Sequence, residues 1–139
     1  METKKLQSLV APSQLITVDK ARELNQNFNQ LRLMNSNDAN AVWYSLQELE
    51  NYISYIKAEG NQKGYIVDGI RFYMGVYPAS EPNGRAGFST IFLSPTGQEV
   101  QTDGVKTTLA QINGSQDITV IKPLNFGSMG NPPKMTYGE

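Results

Sequence analysis

Arginine and tyrosine side chains recur along residues 70–77, where apolar and polar positions alternate. The odd positions of this predicted strand place Arg71, Tyr73 and Tyr77 on one face, with a gap at Gly75. A guanidinium group beside phenol rings suits a carboxylate or a phosphate and offers rings for stacking. The gap at Gly75 leaves room for a ligand or another backbone. We therefore predict a ligand-binding face on this strand.

The other face of the same strand is apolar, and we expect it to face the core. Its members are the even-numbered residues Ile70, Phe72, Met74 and Val76. The alternative for the polar face is an ordinary outer sheet surface covered by amphipathic side chains. The pattern alone does not decide between a binding face and such a surface.

Two further residues are candidates for the ligand-binding site. Trp43 is the only tryptophan, and it either packs in or near the core or forms a wall beside the tyrosine rings. Arg85 lies in the long loop 79–87 between two predicted strands, and such a loop is either a carrier of binding residues or a tolerated insertion. We therefore add Trp43 and Arg85 to the predicted ligand-binding residues and predict no catalytic residue and no metal site.

The chain contains no histidine and no cysteine. Their absence excludes disulfides, cysteine nucleophiles, Ser-His-Asp triads and metal sites built on these residues. Carboxylates are the strong acid–base groups that remain. Asp68, Glu81, Glu99 and Asp103 are the best candidates for a carboxylate-dependent enzyme, but no feature of their spacing brings them together. We predict no cofactor.

Composition predicts a small soluble protein with weak charge. The chain has 139 residues, of which 18% are charged and 22 are Asn or Gln, and its net charge is −1. This balance does not favour nucleic acid or an anionic membrane, and no segment approaches the length of a membrane span. We expect a cytoplasmic protein. Because weak charge gives little resistance to association, a homo-oligomer remains an alternative.

Two helices are predicted in the first half of the chain. Thr17 is a candidate N-cap for the first helix, whose apolar residues recur at helical spacing until a polar loop at 35–38. Ser45 and Glu48 form a capping box for the second helix, which we expect to end at Gly60.

The second half of the chain predicts short strands. Residues 41–44, 70–77, 88–93 and 117–121 have β patterns, and a turn is expected at 94–97 before a short return strand at 99–102. We predict an α+β domain over residues 15–121, with two N-terminal helices packed on an antiparallel sheet of about four to five strands. Residues 1–14 are expected to be a loose lead-in, and 122–139 an irregular tail rich in Gly and Pro.

Three motifs resemble those of a group of small proteins from Bacteroidota for which no activity is established. The motifs are Trp43-Tyr44-x-Leu46-x-Glu48-Leu49-x-x-Tyr52, Gly69-Ile70-Arg71-x-Tyr73-x-Gly75-x-Tyr77-Pro78 and Phe92-x-x-Pro95-Thr96. The resemblance implies that Trp43, Arg71, Tyr73 and Tyr77 belong to one recurrent arrangement. Members of the group tend to carry cysteines beside the pair Pro132-Pro133, and this chain has none.

These observations favour a non-catalytic binding or interaction module. Its expected partner is another protein or a small anionic ligand, bound by the face that carries Arg71, Tyr73 and Tyr77. A self-assembling structural protein is the first alternative, because exposed strand edges can pair with other chains. A carboxylate-dependent enzyme is the second.

Overall fold

A computed structural model describes residues 10–33, 37–100, 115–129 and 136–138. The chain divides into two compact units, one formed by residues 1–34 with 136–139 and the other by residues 35–135. The described residues include two helices and an antiparallel three-stranded sheet, so the predicted α+β class is confirmed. The predicted lead-in lies outside the described residues as far as residue 9.

The first unit contains helix α1, Val18–Leu31. Its predicted N-cap is confirmed, since the Thr17 hydroxyl accepts a hydrogen bond from the Lys20 amide at 3.0 Å. Near the C-terminus, the Tyr137 amide donates to Asn25 Oδ1 at 3.1 Å. No residue of α1 is buried, and its apolar side chains remain at least half exposed at Val18, Leu24 and Leu31.

The second unit contains helix α2, Leu46–Lys63. Its capping box is confirmed: the Ser45 hydroxyl accepts from the Glu48 amide, and the Glu48 carboxylate accepts from the Ser45 amide, each at 2.9 Å. The two reciprocal bonds satisfy amides that have no partner within the helix. The start of α2 is therefore set by four consecutive residues.

The predicted end of α2 at Gly60 is wrong. The helix continues to Lys63, and Gly64 ends it in the left-handed conformation with φ of 83°. Gly60 is buried inside the helix, where a Cβ would approach Val67 Cγ2 to 2.5 Å. Gly60 therefore serves close packing of helix against strand, and Gly64 serves the helix end.

Within the described residues, five strands form two separate antiparallel sheets, so a single sheet of four to five strands is not confirmed. The sheets have the orders β2-β3-β4 and β1-β5. The strands are β1 Val42–Trp43, β2 Tyr65–Val76, β3 Ser89–Glu99, β4 Gln116–Asp117 and β5 Ser128–Met129. Strands β2 and β3 are the long pair, and they position most of the candidate site.

The turn predicted at residues 94–97 is wrong, because these residues continue β3. Pro95 pairs with Ile70 across the hairpin, and its carbonyl accepts from the Ile118 amide at 2.9 Å. Proline brings no amide donor to the sheet, so it accepts on that side without leaving a donor unpaired. The Ser-Pro-Thr-Gly pattern is therefore buried sheet in this chain.

A β-bulge changes the alternation of β2 between Val67 and Gly69. The extra residue, Asp68, puts Val67 and Ile70 on the same face of the hairpin although their numbers differ by three. Both pack against a buried cluster to which α2, β3 and the residues after β4 contribute. That cluster consists of Tyr52, Ile56, Leu93, Ile118 and Ile121.

Tyr52 joins α2 to the sheet through its buried hydroxyl. The hydroxyl donates to the carbonyls of Leu93 at 3.2 Å and Lys122 at 2.9 Å. Burial raises the pKa of Tyr52 to about 12, because the ionised phenol would lose its hydration.

The predicted irregular tail begins with an ordered stretch. Leu124 forms an isolated bridge with Leu93, with N···O distances of 2.8 and 2.9 Å in the two directions. Further on, β5 pairs with β1 in the second sheet. Residues 130–135 and 139 of the predicted tail lie outside the described residues.

Candidate functional site

Arg71 and Tyr73 meet at one carboxylate, that of Asp117 in β4. Arg71 Nη1 lies 2.6 Å from Asp117 Oδ1, and the Tyr73 hydroxyl donates to Asp117 Oδ2. Arg71 Nη2 also donates to the Ser115 carbonyl at 3.1 Å. The hydrogen bond with Asp117 is the main cause that raises the pKa of Arg71. The guanidinium charge is thus already neutralised within the chain.

A second carboxylate extends this polar network. Asp68, the bulge residue, accepts from the Thr96 hydroxyl at 2.7 Å and from the Ser115 hydroxyl. The Tyr73 ring stacks on Phe92 with centroids 5.1 Å apart. The polar face of β2 is therefore tied to the segment that enters β4, and a small anion would compete with Asp117 for Arg71.

Tyr77 and Arg85 belong to a separate cluster. The buried Tyr77 donates from its hydroxyl to Asn125 Oδ1 at 2.9 Å, and its ring stacks on Phe126 with centroids 6.1 Å apart. The Arg85 guanidinium lies over the Phe126 ring, 5.1 Å from its centroid. Phe126 has φ of 62°, which is uncommon for a bulky residue.

Trp43 lies in β1 and is 63% exposed. Its strand pairs with β5, where Trp43 stands opposite Ser128. The described contacts bring Arg71 together with Tyr73, and Tyr77 together with Arg85, but include Trp43 in neither cluster. Asp117 and Phe126, which organise the two clusters, were missed because no local pattern links them to the hairpin.

The apolar face of β2 contradicts the prediction that all of it is core. Ile70 packs against the buried cluster, but Phe72 is 60% exposed, Met74 85% and Val76 68%. Helix α2 lies over the first part of this face, where Gly60 meets Val67. We call the three exposed residues the apolar strip.

The apolar strip lies on an edge strand. Among the described residues, β2 pairs with β3 alone. Phe72 stands opposite Leu93, whose amide and carbonyl both bond to Leu124 on the far side of β3. Phe72 and Leu93 are thus a non-hydrogen-bonded pair, and the Phe72 backbone groups point to the open edge. Because successive residues of a strand alternate in direction, the backbone groups of Ile70, Met74 and Val76 also point to the open edge.

The carboxylates considered for an enzyme do not converge in the described part of the chain. Glu99 pairs with Tyr65 at one end of the hairpin. Glu81 follows Val76 at the other end, and the twelve residues of β2 between these two ends span about 35 Å. Asp103 lies outside the described residues. No three acidic side chains among the described residues are grouped so as to hold a metal ion.

In the part of the chain that the structure describes, no helix has the length and hydropathy to cross a membrane. Comparisons with protein-family models, curated proteins and solved structures found no match to this chain. The candidate site is therefore defined by its geometry: a neutralised polar face and an exposed apolar strip on the same edge strand.

Proposed function

We propose that this protein is a non-catalytic protein-interaction module whose binding surface is the apolar strip. The observation that carries the proposal is the exposure of Phe72, Met74 and Val76 side by side on one face of β2. Single exposed apolar residues are common, but contiguous ones on a regular element are typical of interaction sites.

The form of the surface favours a protein over a small anion. Small-molecule sites are usually concave, whereas the strip is one side of an extended strand. An extended partner segment can bond to the outward backbone groups of Phe72 and Met74 while its own side chains pack beside theirs, which is the mode of strand addition. The Arg71 guanidinium on the opposite face is engaged by Asp117.

A photo-cross-linker tests the proposal directly. We would place p-benzoylphenylalanine at position 74 and irradiate cells that naturally produce the protein. Because Met74 is highly exposed, the larger side chain does not disturb the core. The proposal predicts a discrete covalent adduct to a protein, visible as a band of higher mass.

The matched control places the same cross-linker at Gln62, an exposed position of α2. It reports random collision at the surface and should give no discrete adduct. Equal labelling from positions 62 and 74, or no adduct from position 74, would contradict the assignment of the strip as a binding surface.

A further inference from the structure

We propose that the occupant of the apolar strip is a second copy of this chain, whose β2 adds antiparallel to the first. This inference rests on the proposed function, because it requires the strip to be the binding surface. The two-fold axis passes between Tyr73 of one copy and Tyr73 of the other. Pairing of this kind is isologous, since the same strand supplies both sides of the interface.

The limits of the regular part of β2 determine this register. The bulge at Asp68 ends regular pairing on one side, and Pro78, which has no amide, ends it on the other. Between them lie residues 70–76, whose midpoint is Tyr73. An axis one residue earlier would place Val76 opposite the bulge, and one residue later would place Ile70 opposite Pro78.

The outward backbone groups match in this register. Phe72 faces Met74 of the second copy, and Ile70 faces its Val76. All four residues point their amides and carbonyls to the open edge, as the bonding of Leu93 to Leu124 requires. Each facing pair can therefore exchange two hydrogen bonds, and the two sheets become one.

The side chains are self-complementary on both faces. On the apolar face, the pairs just described place the two strips side by side, so that Phe72 of each copy packs against Met74 of the other. On the polar face, Arg71 stands opposite Gly75 of the second copy. Because glycine has no side chain, the approaching strand does not displace the Arg71 guanidinium from its ion pair with Asp117.

Charge does not oppose this association. Arg71 is the only charged residue in residues 70–76, and Asp117 neutralises it within its own chain. The net charge of the whole chain is −1. Edge strands that stay unpaired usually carry a lysine, a proline or a bulge, and here the bulge at Asp68 and Pro78 lie only at the ends of the segment. These features favour a second copy over a strongly charged partner.

The register is tested by two substitutions at one position, Gly75→Glu and Gly75→Lys. A Cβ at Gly75 would meet Thr90 Cγ2 at 3.8 Å, an ordinary contact, so the fold tolerates both. The first places a carboxylate opposite Arg71 of the second copy, and the second places a like charge there. Sedimentation equilibrium over a dilution series should show a dimer dissociation constant roughly tenfold higher for the Lys variant than for the Glu variant.

The contrast between the two variants is the informative quantity, because both lose the same glycine. Equal dissociation constants for Glu and Lys would overturn the register, and a wild-type chain that stays monomeric at the highest concentration would overturn the inference. Met74→Lys is the second variant, with circular dichroism to verify folding. It should be a folded monomer, and a folded dimer would contradict the interface.

The cross-linking experiment separates this inference from the proposed function. An adduct from position 74 with twice the monomer mass supports both. An adduct to a different protein supports the interaction module and overturns the second copy as occupant. If position 74 gives no adduct, both are overturned.

Discussion

The two halves of the apolar face of β2 are alike in sequence and different in surroundings. In the first half, Val67 and Ile70 pack against the cluster formed with α2. In the second half, Phe72, Met74 and Val76 are more than half exposed. The comparison shows that an alternating pattern identifies an apolar face but does not tell whether another element of the chain covers it.

Burial gives the two halves different roles in stability. Burying a large aliphatic or aromatic side chain contributes about 1.5–3 kcal/mol, and only the first half gains this on folding. The second half gains little until a partner strand packs beside it. An apolar edge that contributes little to the fold is understandable if it contributes to binding.

The same truncation should have different effects in the two regions. Ile56→Ala removes a fully buried side chain of α2 and should lower the free energy of unfolding by about 2–5 kcal/mol. Met74→Ala removes an exposed one and should change it by less than about 0.5 kcal/mol. Urea denaturation of both variants at a dilution where the chain is monomeric measures the difference.

Ile53→Ala is the control for helix propensity, because Ile53 lies in α2 with 40% of its surface exposed. This substitution should lower the free energy of unfolding clearly less than Ile56→Ala does. If Met74→Ala lowered the free energy of unfolding as much as Ile56→Ala does, the strip would have to be covered within one chain. That result would contradict the comparison of the two halves.

Removal of the Tyr52 hydroxyl, which bonds helix α2 to the sheet, should lower the free energy of unfolding by a smaller amount. Tyr52→Phe leaves the carbonyls of Leu93 and Lys122 without this donor and should lower the free energy of unfolding by about 1–2 kcal/mol. Thermal denaturation measures the loss, and Tyr55→Phe, at a more exposed ring of the same helix, is the control.

The pH dependence of this variant provides a second measurement. The pKa of Tyr52 is raised from 10.0 to about 12, so the unfolded chain ionises first as pH rises. The stability that Tyr52 provides is fully present below pH 10 and is lost as pH rises towards 12. The difference between wild type and Tyr52→Phe should therefore shrink in this window. A difference independent of pH would contradict the burial of the hydroxyl.

Local features of the fold could be predicted from the sequence. The caps at Thr17 and Ser45 depend on residues three positions apart, and both are confirmed. The end of α2 was misplaced because two glycines compete for that role. Only the position of Val67, which packs on Gly60, distinguishes a packing glycine from the terminating Gly64.

Features that depend on distant residues could not be predicted. Asp117 lies 46 positions from Arg71, and no spacing rule links them. The exposure of Phe72 depends on how far α2 reaches along the sheet and on the bulge at Asp68, which moves Val67 to the apolar face. The Arg–Tyr pair was recognised, but its internal carboxylate was not.

Amide hydrogen exchange measured by NMR over a dilution series tests the central claim most directly. In the dilute protein, the amides of Phe72, Met74 and Val76 should exchange quickly, while those of Arg71 and Tyr73, which bond to β3, should be protected. As concentration rises, the three strip amides should become protected in step with dimer formation. If they exchange at the same rate at every concentration, or are already protected in the monomer, the open edge of β2 is not where two copies meet.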